Sequence, residues 1–396
     1  MKLSRSLLRK KRKNESLLKY FVSLSHLWLG LLSSVVLIVV CLTGAVFAFK
    51  NQITELLNYD VVFNKDKSAN EWVTPDDINI EFTRKGLEVR AIDYPAEFNR
   101  NVLVSYQNST LDQKGSVYIH PSNGEVIGKQ YVSTAHFFQT IKALHKNLLL
   151  GEVGKQIVGV SVIIFVFLLL SGIVLWFPKN KKQLKASLNV KWSAKLPRII
   201  YDLHKVIGFY FLFPLVFVSI TGLYVAYPWV KSAVLVSLGG QPVLNESNKE
   251  EVQGELSEKF ASFLEESLEM NKVEKVNFDV SLDNLLKDVN QRLPYKGSTT
   301  ISLAVNDKTE IEVTKINQEG WINIIAPDKV IYNQKGEFKK AILFEDFTLA
   351  DQFKAVSLPL HTGKILGLPG VIFYFIVTLV GCALPITGIL IWVRKL

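Results

Sequence analysis

The chain has 396 residues, 48% of them hydrophobic, with a mean hydropathy of +0.21 and a formal net charge of +10. That excludes a disordered chain and an ordinary soluble enzyme. Only two cysteines, Cys41 and Cys382, and two methionines are present, which excludes a disulfide framework, a Cys-rich zinc site and a thioether copper surface.

Taken in chain order, residues 1–19 form a basic segment whose charges sum to +7. Residues 20–49 form a first apolar run, too long for a secretory h-region and without an Ala-x-Ala site, so it reads as a retained membrane helix. Residues 50–144 then alternate short strands (86–91, 101–107, 116–120, 125–128) with turns, Pro121-Ser-Asn-Gly124 among them. A second span, with an extension outside the membrane, covers 145–177, and a short basic loop of +7 covers 178–198. The third span is 199–227. Residues 228–360 begin with an acidic helical stretch (255–269) and an amphipathic helix (281–292). Strands are expected at 299–305, 310–316, 321–326 and 329–333. The fourth span and its extension cover 361–393, and 394–396 close the chain.

The two long insertions are slightly acidic, whereas the short flanking segments are basic. The Lys/Arg bias therefore places both termini and the middle loop in the cytoplasm and the insertions in the periplasm of a bacterial inner membrane. The positive charge is a topology signal and an attraction for anionic lipid, so the lipid bilayer is a partner and nucleic acid is not.

An internal repeat is the most informative feature. Thr43-Gly44 follows His26 and Thr221-Gly222 follows His204, each glycine 18 residues on. Gly172 and Gly388 each stand 27 residues after His145 and His361, in Ser-Gly-Ile-Val-Leu-Trp and Thr-Gly-Ile-Leu-Ile-Trp. The expected fold class is thus an α-helical membrane protein. Its four transmembrane helices form two parallel tandem repeats related by a pseudo-two-fold axis, each with an inserted α+β domain. That symmetry pairs His26 with His204 and His145 with His361.

Ionisable residues in membrane helices are costly and mark function. Two histidines per site, without thiol or carboxylate, are too few for zinc but suffice for a b-type haem. Two haem b groups are expected, with the four histidines as axial ligands. Gly30, Gly208, Gly172 and Gly388 suit close approach of a flat macrocycle. His136 is a further candidate ligand or substrate contact, although nine residues from His145 on one helix puts it on the opposite face. An unbroken helix would set the two haem levels roughly 30 Å apart, and Gly151–Gly154 and Gly367–Gly370 are where a break would bring the outer level down. No catalytic nucleophile–base pair is recognisable. Iron with two axial histidines has no open position, so electron transfer is the expected chemistry.

The motifs His-Leu-Trp-Leu-Gly, Leu-Ser-Gly-Ile-Val-Leu-Trp-Phe-Pro, Asp-Leu-His-Lys-Val-Ile-Gly and Leu-His-Thr-Gly resemble the PepSY-associated transmembrane (PepSY-TM) family. The hairpin Tyr-Ile-His-Pro-Ser-Asn-Gly-Glu-Val resembles part of a PepSY module. The resemblance implies an inner-membrane, haem-containing ferric-siderophore reductase, with His26, His145, His204 and His361 as ligands. Its partners would be a ferric siderophore or other ferric chelate and a separate cytoplasmic electron donor or quinol, since no dinucleotide fingerprint is present. The alternative is a membrane-anchored PepSY binding module that restrains a periplasmic protease or sensor without redox activity.

Overall fold

The computed structural model describes residues 11, 15–66, 71–108, 113–129, 132–178, 180–243, 280–303, 310–319 and 327–394. Most of the basic N-terminal run, the acidic stretch 255–269 and the strand expected at 321–326 lie outside the described residues. The chain divides into two compact units.

The first unit draws on Met1–Ile53, Val132–Tyr227 and Ser357–Leu396. Its longer helices are α1 (Leu17–Ala48), α2 (Val132–Asn147), α3 (Gly151–Trp176), α4 (Leu196–Tyr210), α5 (Leu212–Ala226), α6 (Leu349–Thr362, entering the unit at Ser357) and α7 (Gly367–Val393). Among the described residues three helices are long and apolar enough to cross a membrane, and a fourth span results if the bent pair α4–α5 is counted as one. The protein is therefore a multi-pass α-helical membrane protein. Its apolar core joins Leu37 of α1, Phe165 and Leu169 of α3, Leu212 and Leu215 of α5, and Val377 and Leu384 of α7.

The third span is not straight, as its apolar run suggests, but turns by 64° between α4 and α5. Pro214 explains the break. It lacks an N–H, and its ring would clash with the carbonyl of Tyr210 in a continuous helix, so it is accommodated in the first turn of α5. The segments before α3 and α7 are also interrupted. Leu148 and Leu149 adopt φ of 53° and 62° between α2 and α3. Gly363 and Gly367, at φ of 74° and 62°, bracket a 3₁₀ turn between α6 and α7.

The second unit draws on Thr54–Tyr131 and Pro228–Val356. Strands β1 (Leu87–Tyr94), β2 (Val102–Asn108), β3 (Gln113–Ile119) and β4 (Val126–Gly128) form a meander, and so do β5 (Gly297–Ser302), β6 (Ile311–Asn317), β7 (Pro327–Tyr332) and β8 (Phe338–Ile342). The sequence reading treats the two insertions as separate modules. They instead share one antiparallel sheet in the order β4-β3-β2-β1-β5-β6-β7-β8, with Ile92 opposite Ile301 and Tyr94 opposite Thr299 at the joint. Each meander leaves a strand edge of unpaired backbone groups, and each edge is satisfied by the other insertion. Period-two alternation puts Val102 and Val104 of β2, and Ile311 and Val313 of β6, into a core shared with helices Pro75–Arg84 and Leu282–Arg292.

Those two helices cap one another. Thr74 accepts from the amide of Asp77, with Pro75 in the first turn. The Asp76 carboxylate accepts from the Leu282 amide at 2.7 Å and the Ser281 hydroxyl at 2.7 Å, while Asp283 accepts from the Asp76 amide at 3.2 Å. Asp76→Ala removes a charge-assisted cap and is expected to destabilise the Leu282–Arg292 helix by about 1–2 kcal/mol. Hydrogen exchange of that helix in the full-length chain should quicken about tenfold or more, and Asp76→Asn should preserve part of the protection.

Candidate functional site

The first unit brings the four repeated histidines together in two facing pairs. The ring centroids of His26 (α1) and His204 (α4) are 6.4 Å apart with planes at 86°. Those of His145 (α2) and His361 (α6) are also 6.4 Å apart, with planes at 47°.

Each ring is seated on a Ser-Gly or Thr-Gly step of another helix. His26 Nδ1 is 2.9 Å from Ser171 Oγ, and His204 Nδ1 is 2.8 Å from Thr387 Oγ1. His361 Nδ1 is 3.1 Å from Thr221 Oγ1. His145 Nδ1 lies 2.9 Å from the Val40 carbonyl and 3.4 Å from Thr43 Oγ1. Every one of these hydroxyls donates its own proton to a carbonyl three or four residues back in its helix, such as Leu168, Ala383, Phe217 and Val39. A hydroxyl has one proton, so each oxygen is left to accept from the imidazole. The carbonyl of Val40 accepts by necessity. The seats therefore hold the proton on Nδ1 and leave Nε2 with its lone pair, the tautomer a metal ligand needs.

The glycine after each hydroxyl makes room for the ring. A Cβ added at Gly44 would stand 3.1 Å from His145 Cε1, and one at Gly222 would stand 3.0 Å from His361 Cε1. At Gly172 and Gly388 the corresponding distances to His26 and His204 are 3.6 and 3.7 Å. Gly172 and Gly388 thus lie against the imidazoles, whereas Gly30 and Gly208 face Leu168 and Leu384 across helix contacts at 3.9 and 3.6 Å. The hydroxyls of Thr43, Ser171, Thr221 and Thr387 were not singled out as site residues. The signal was present, because each precedes a glycine at the repeated offset.

The helix breaks set the heights. His145 and His361 precede the interruptions, so α2 and α6 are not extensions of α3 and α7. From His26 to Val40, whose carbonyl takes His145, is about 21 Å of helix rise rather than the roughly 30 Å of an unbroken helix.

His136 is on α2 with an exposed side chain and joins neither pair. His120 accepts from the amides of Ser122 and Asn123 in the β3–β4 turn. Among the described residues no group of three or more His, Cys, Asp or Glu converges. A metal at either pair would take two imidazoles from the chain and its remaining ligands from elsewhere. Arg198 and Lys205 both engage the buried carboxylate of Asp202, at 2.9 and 3.6 Å. Trp176 stacks on Phe209 at 3.9 Å and donates to the carbonyl of Ser187.

A family model described as the PepSY-associated TM region matches residues 24–395. The chain belongs to the PepSY-associated TM family. No curated protein matches it. In this PepSY-TM chain the match runs through all four histidines, their seats and both insertions.

Two alanine substitutions separate seat from packing. Gly222→Ala must displace the His361 ring and is expected to lower the thermal midpoint of the detergent-solubilised protein by several degrees. Gly30→Ala, which meets only a flexible leucine end, should leave the midpoint unchanged or raise it, since alanine is the better helix former by about 1 kcal/mol.

Proposed function

We propose that the protein carries electrons across the membrane through two haem b groups, one at each histidine pair, and delivers them to ferric iron held by a siderophore or another chelate. The histidine spacing carries this reading. Two facing imidazoles whose Nε2 atoms would hold one metal ion between them, with metal–nitrogen bonds of about 2 Å, need ring centroids roughly 6 Å apart. Both pairs stand at 6.4 Å. Bound there, haem b supplies one-electron exchange without an open iron position, which favours electron transfer over oxygen binding.

The chain's own residues have defined parts in this reading. His26 with His204, and His145 with His361, would hold the iron through Nε2. Ser171, Thr387, Thr221, Thr43 and the Val40 carbonyl hold the opposite nitrogen's proton, orienting the rings and raising their basicity. Leu37, Phe165, Leu169 and Val377 keep the space between the levels apolar. Lys50, just beyond α1, and Lys364, between α6 and α7, would suit the propionates of the outer group. The Lys/Arg distribution puts the His26–His204 pair toward the cytoplasm, where a separate donor or quinol would supply electrons, and the insertions in the periplasm. The same seat recurring at all four histidines, and the mirrored strand order of the two insertions, support a tandem duplication with a pseudo-two-fold axis. Reduction lowers the charge on the iron and weakens its hold on hard oxygen ligands.

Haem content tests the proposal. Protein purified from haem-replete cells should hold two haems per chain. His204→Leu should lose one and keep the other, and His361→Leu should lose the complementary one. Absence of haem from the wild type would refute the reading.

A second reading is a membrane-anchored module that binds and restrains a periplasmic protease or sensor. Family membership and the membrane helices support it directly, whereas the haem reading rests on the histidine geometry. It needs only the spans and the eight-stranded sheet, and it predicts that histidine substitutions leave partner binding unchanged.

A further inference from the structure

The second unit holds an open cleft of about 200 Å³ where the two insertions meet. Trp72, Tyr94 and Tyr295 wall it, Ala96 lies in its lining, and Asn290, Lys296 and Lys315 supply polar groups, Lys296 being already paired with Glu97 at 3.1 Å. Trp72 is held flat against Phe98 at 4.0 Å and meets Tyr94 edge-on at 5.7 Å, so the aromatic wall is braced from behind.

Lys315 is the unusual member. Strand β6 alternates strictly, and Ile311, Val313 and Lys315 take its inward positions. The lysine stands third in a row of core residues and is 5% exposed. Its ammonium donates to Asn290 Oδ1 at 2.8 Å and the Leu293 carbonyl at 2.7 Å, and lies 5.1 Å from the Tyr295 ring centroid. Those contacts use two of its three donors and none of them carries a negative charge. Asp328, directly opposite Lys315 in the β6–β7 ladder, is engaged by the Tyr295 hydroxyl at 2.6 Å and the Phe344 amide at 2.8 Å. Among the described residues no carboxylate lies within ion-pair distance of Lys315. Burial accordingly pushes the pKa of its ammonium down, with Glu319 only partly opposing.

Capping the helix that ends near Leu293 accounts for one of these hydrogen bonds, but it leaves a buried charge without a counter-charge. An anion in the cleft would complete it. The size of the space limits that anion. It amounts to about seven water volumes, below the 300–1,000 Å³ typical of sites that enclose a drug-sized ligand. A whole hexadentate ferric chelate is therefore too large, whereas one flat ring with a carboxylate fits.

We propose that this cleft is a binding site for a compact aromatic carboxylate, with the ring against Trp72, Tyr94 and Tyr295 and the carboxylate on the third N–H of Lys315. The same chemistry could arrive as a free small acid or as one arm of a larger chelate. The site stands whether or not the membrane unit carries haem.

The test uses the full-length chain in nanodiscs and ¹⁹F NMR of 4-fluorobenzoate, with empty nanodiscs as the blank. Wild type is expected to bind 4-fluorobenzoate with a Kd of about 1 mM or tighter and to discriminate at least about tenfold against neutral 4-fluorobenzyl alcohol. Lys315→Met should weaken binding at least about tenfold, and so should Ala96→Phe, which fills the cleft while leaving Lys315 and its hydrogen bonds in place. Ala96→Phe keeps the test decisive should Lys315→Met fail to fold. Displacement of the probe by ferric salicylate, a chelate built from an aromatic carboxylate, would identify a chelate arm as ligand, and displacement by free salicylate alone would identify a free acid. No binding to wild type, equal binding of the alcohol, or full retention by Ala96→Phe would overturn the proposal.

Discussion

The membrane unit depends on one hydrogen bond repeated four times: an imidazole Nδ1–H given to a helix oxygen that has no proton to offer. In an apolar span a histidine is expensive unless both its nitrogens are accounted for. Ser171, Thr221 and Thr387 do half of that by first giving their own proton to a carbonyl behind them, which turns each hydroxyl into an obligate acceptor. At His145 the main-chain oxygen of Val40 is the closer acceptor. The other nitrogen is then the only unsatisfied group on each ring, and it comes in facing pairs. The helix packing follows from the seats, because a glycine must follow each hydroxyl for the ring to reach it.

The breaks in the helices serve the same requirement. Two of the four histidines lie on segments before α3 and α7, and a straight continuation would carry them away from their seats on α1 and α5. Leu148 and Leu149 in the left-handed region turn the chain in one case, and Gly363 and Gly367 in the other. Leucine tolerates that conformation poorly, so the two strained residues between α2 and α3 are held by the packing around them rather than by their own preference. Pro214 performs a comparable service inside the third span, where the turn separates the segment carrying His204 from the one carrying Thr221.

Much of this was legible in the sequence because it is periodic. The offsets of 18 and 27 residues single out the histidines and the glycines, and the long apolar runs single out the spans. What stayed hidden were relations between distant segments. Nothing in the sequence says that Thr43 seats His145 rather than its neighbour His26, because the repeat shows equivalence and not contact. In the sequence the glycines stand out and the hydroxyls before them do not, although the glycine only clears the imidazole that the hydroxyl holds. The sheet was hidden for a similar reason. Alternation in β1 and β5 announces two half-buried strands, but any two such edges are chemically alike, and the reciprocal caps at Asp76 and Asp283 that tie the insertions together are visible only in the folded chain. The bend at Pro214 was readable from the proline itself.

The two pairs are alike in spacing and unlike in orientation, and their seats are chemically unequal. His26 and His204 stand almost perpendicular, while His145 and His361 are turned to 47°. The seats differ as well: His26 rests on a serine and His145 chiefly on a main-chain carbonyl, a stronger acceptor than a hydroxyl. A stronger acceptor makes the imidazole more electron-rich, and so a better donor to an oxidised metal. Four histidines set on one plan therefore give two pairs of unequal ligand strength, the difference lying in which oxygen faces which ring. A metal held by His145 and His361 would have its oxidised form favoured more than one held by His26 and His204.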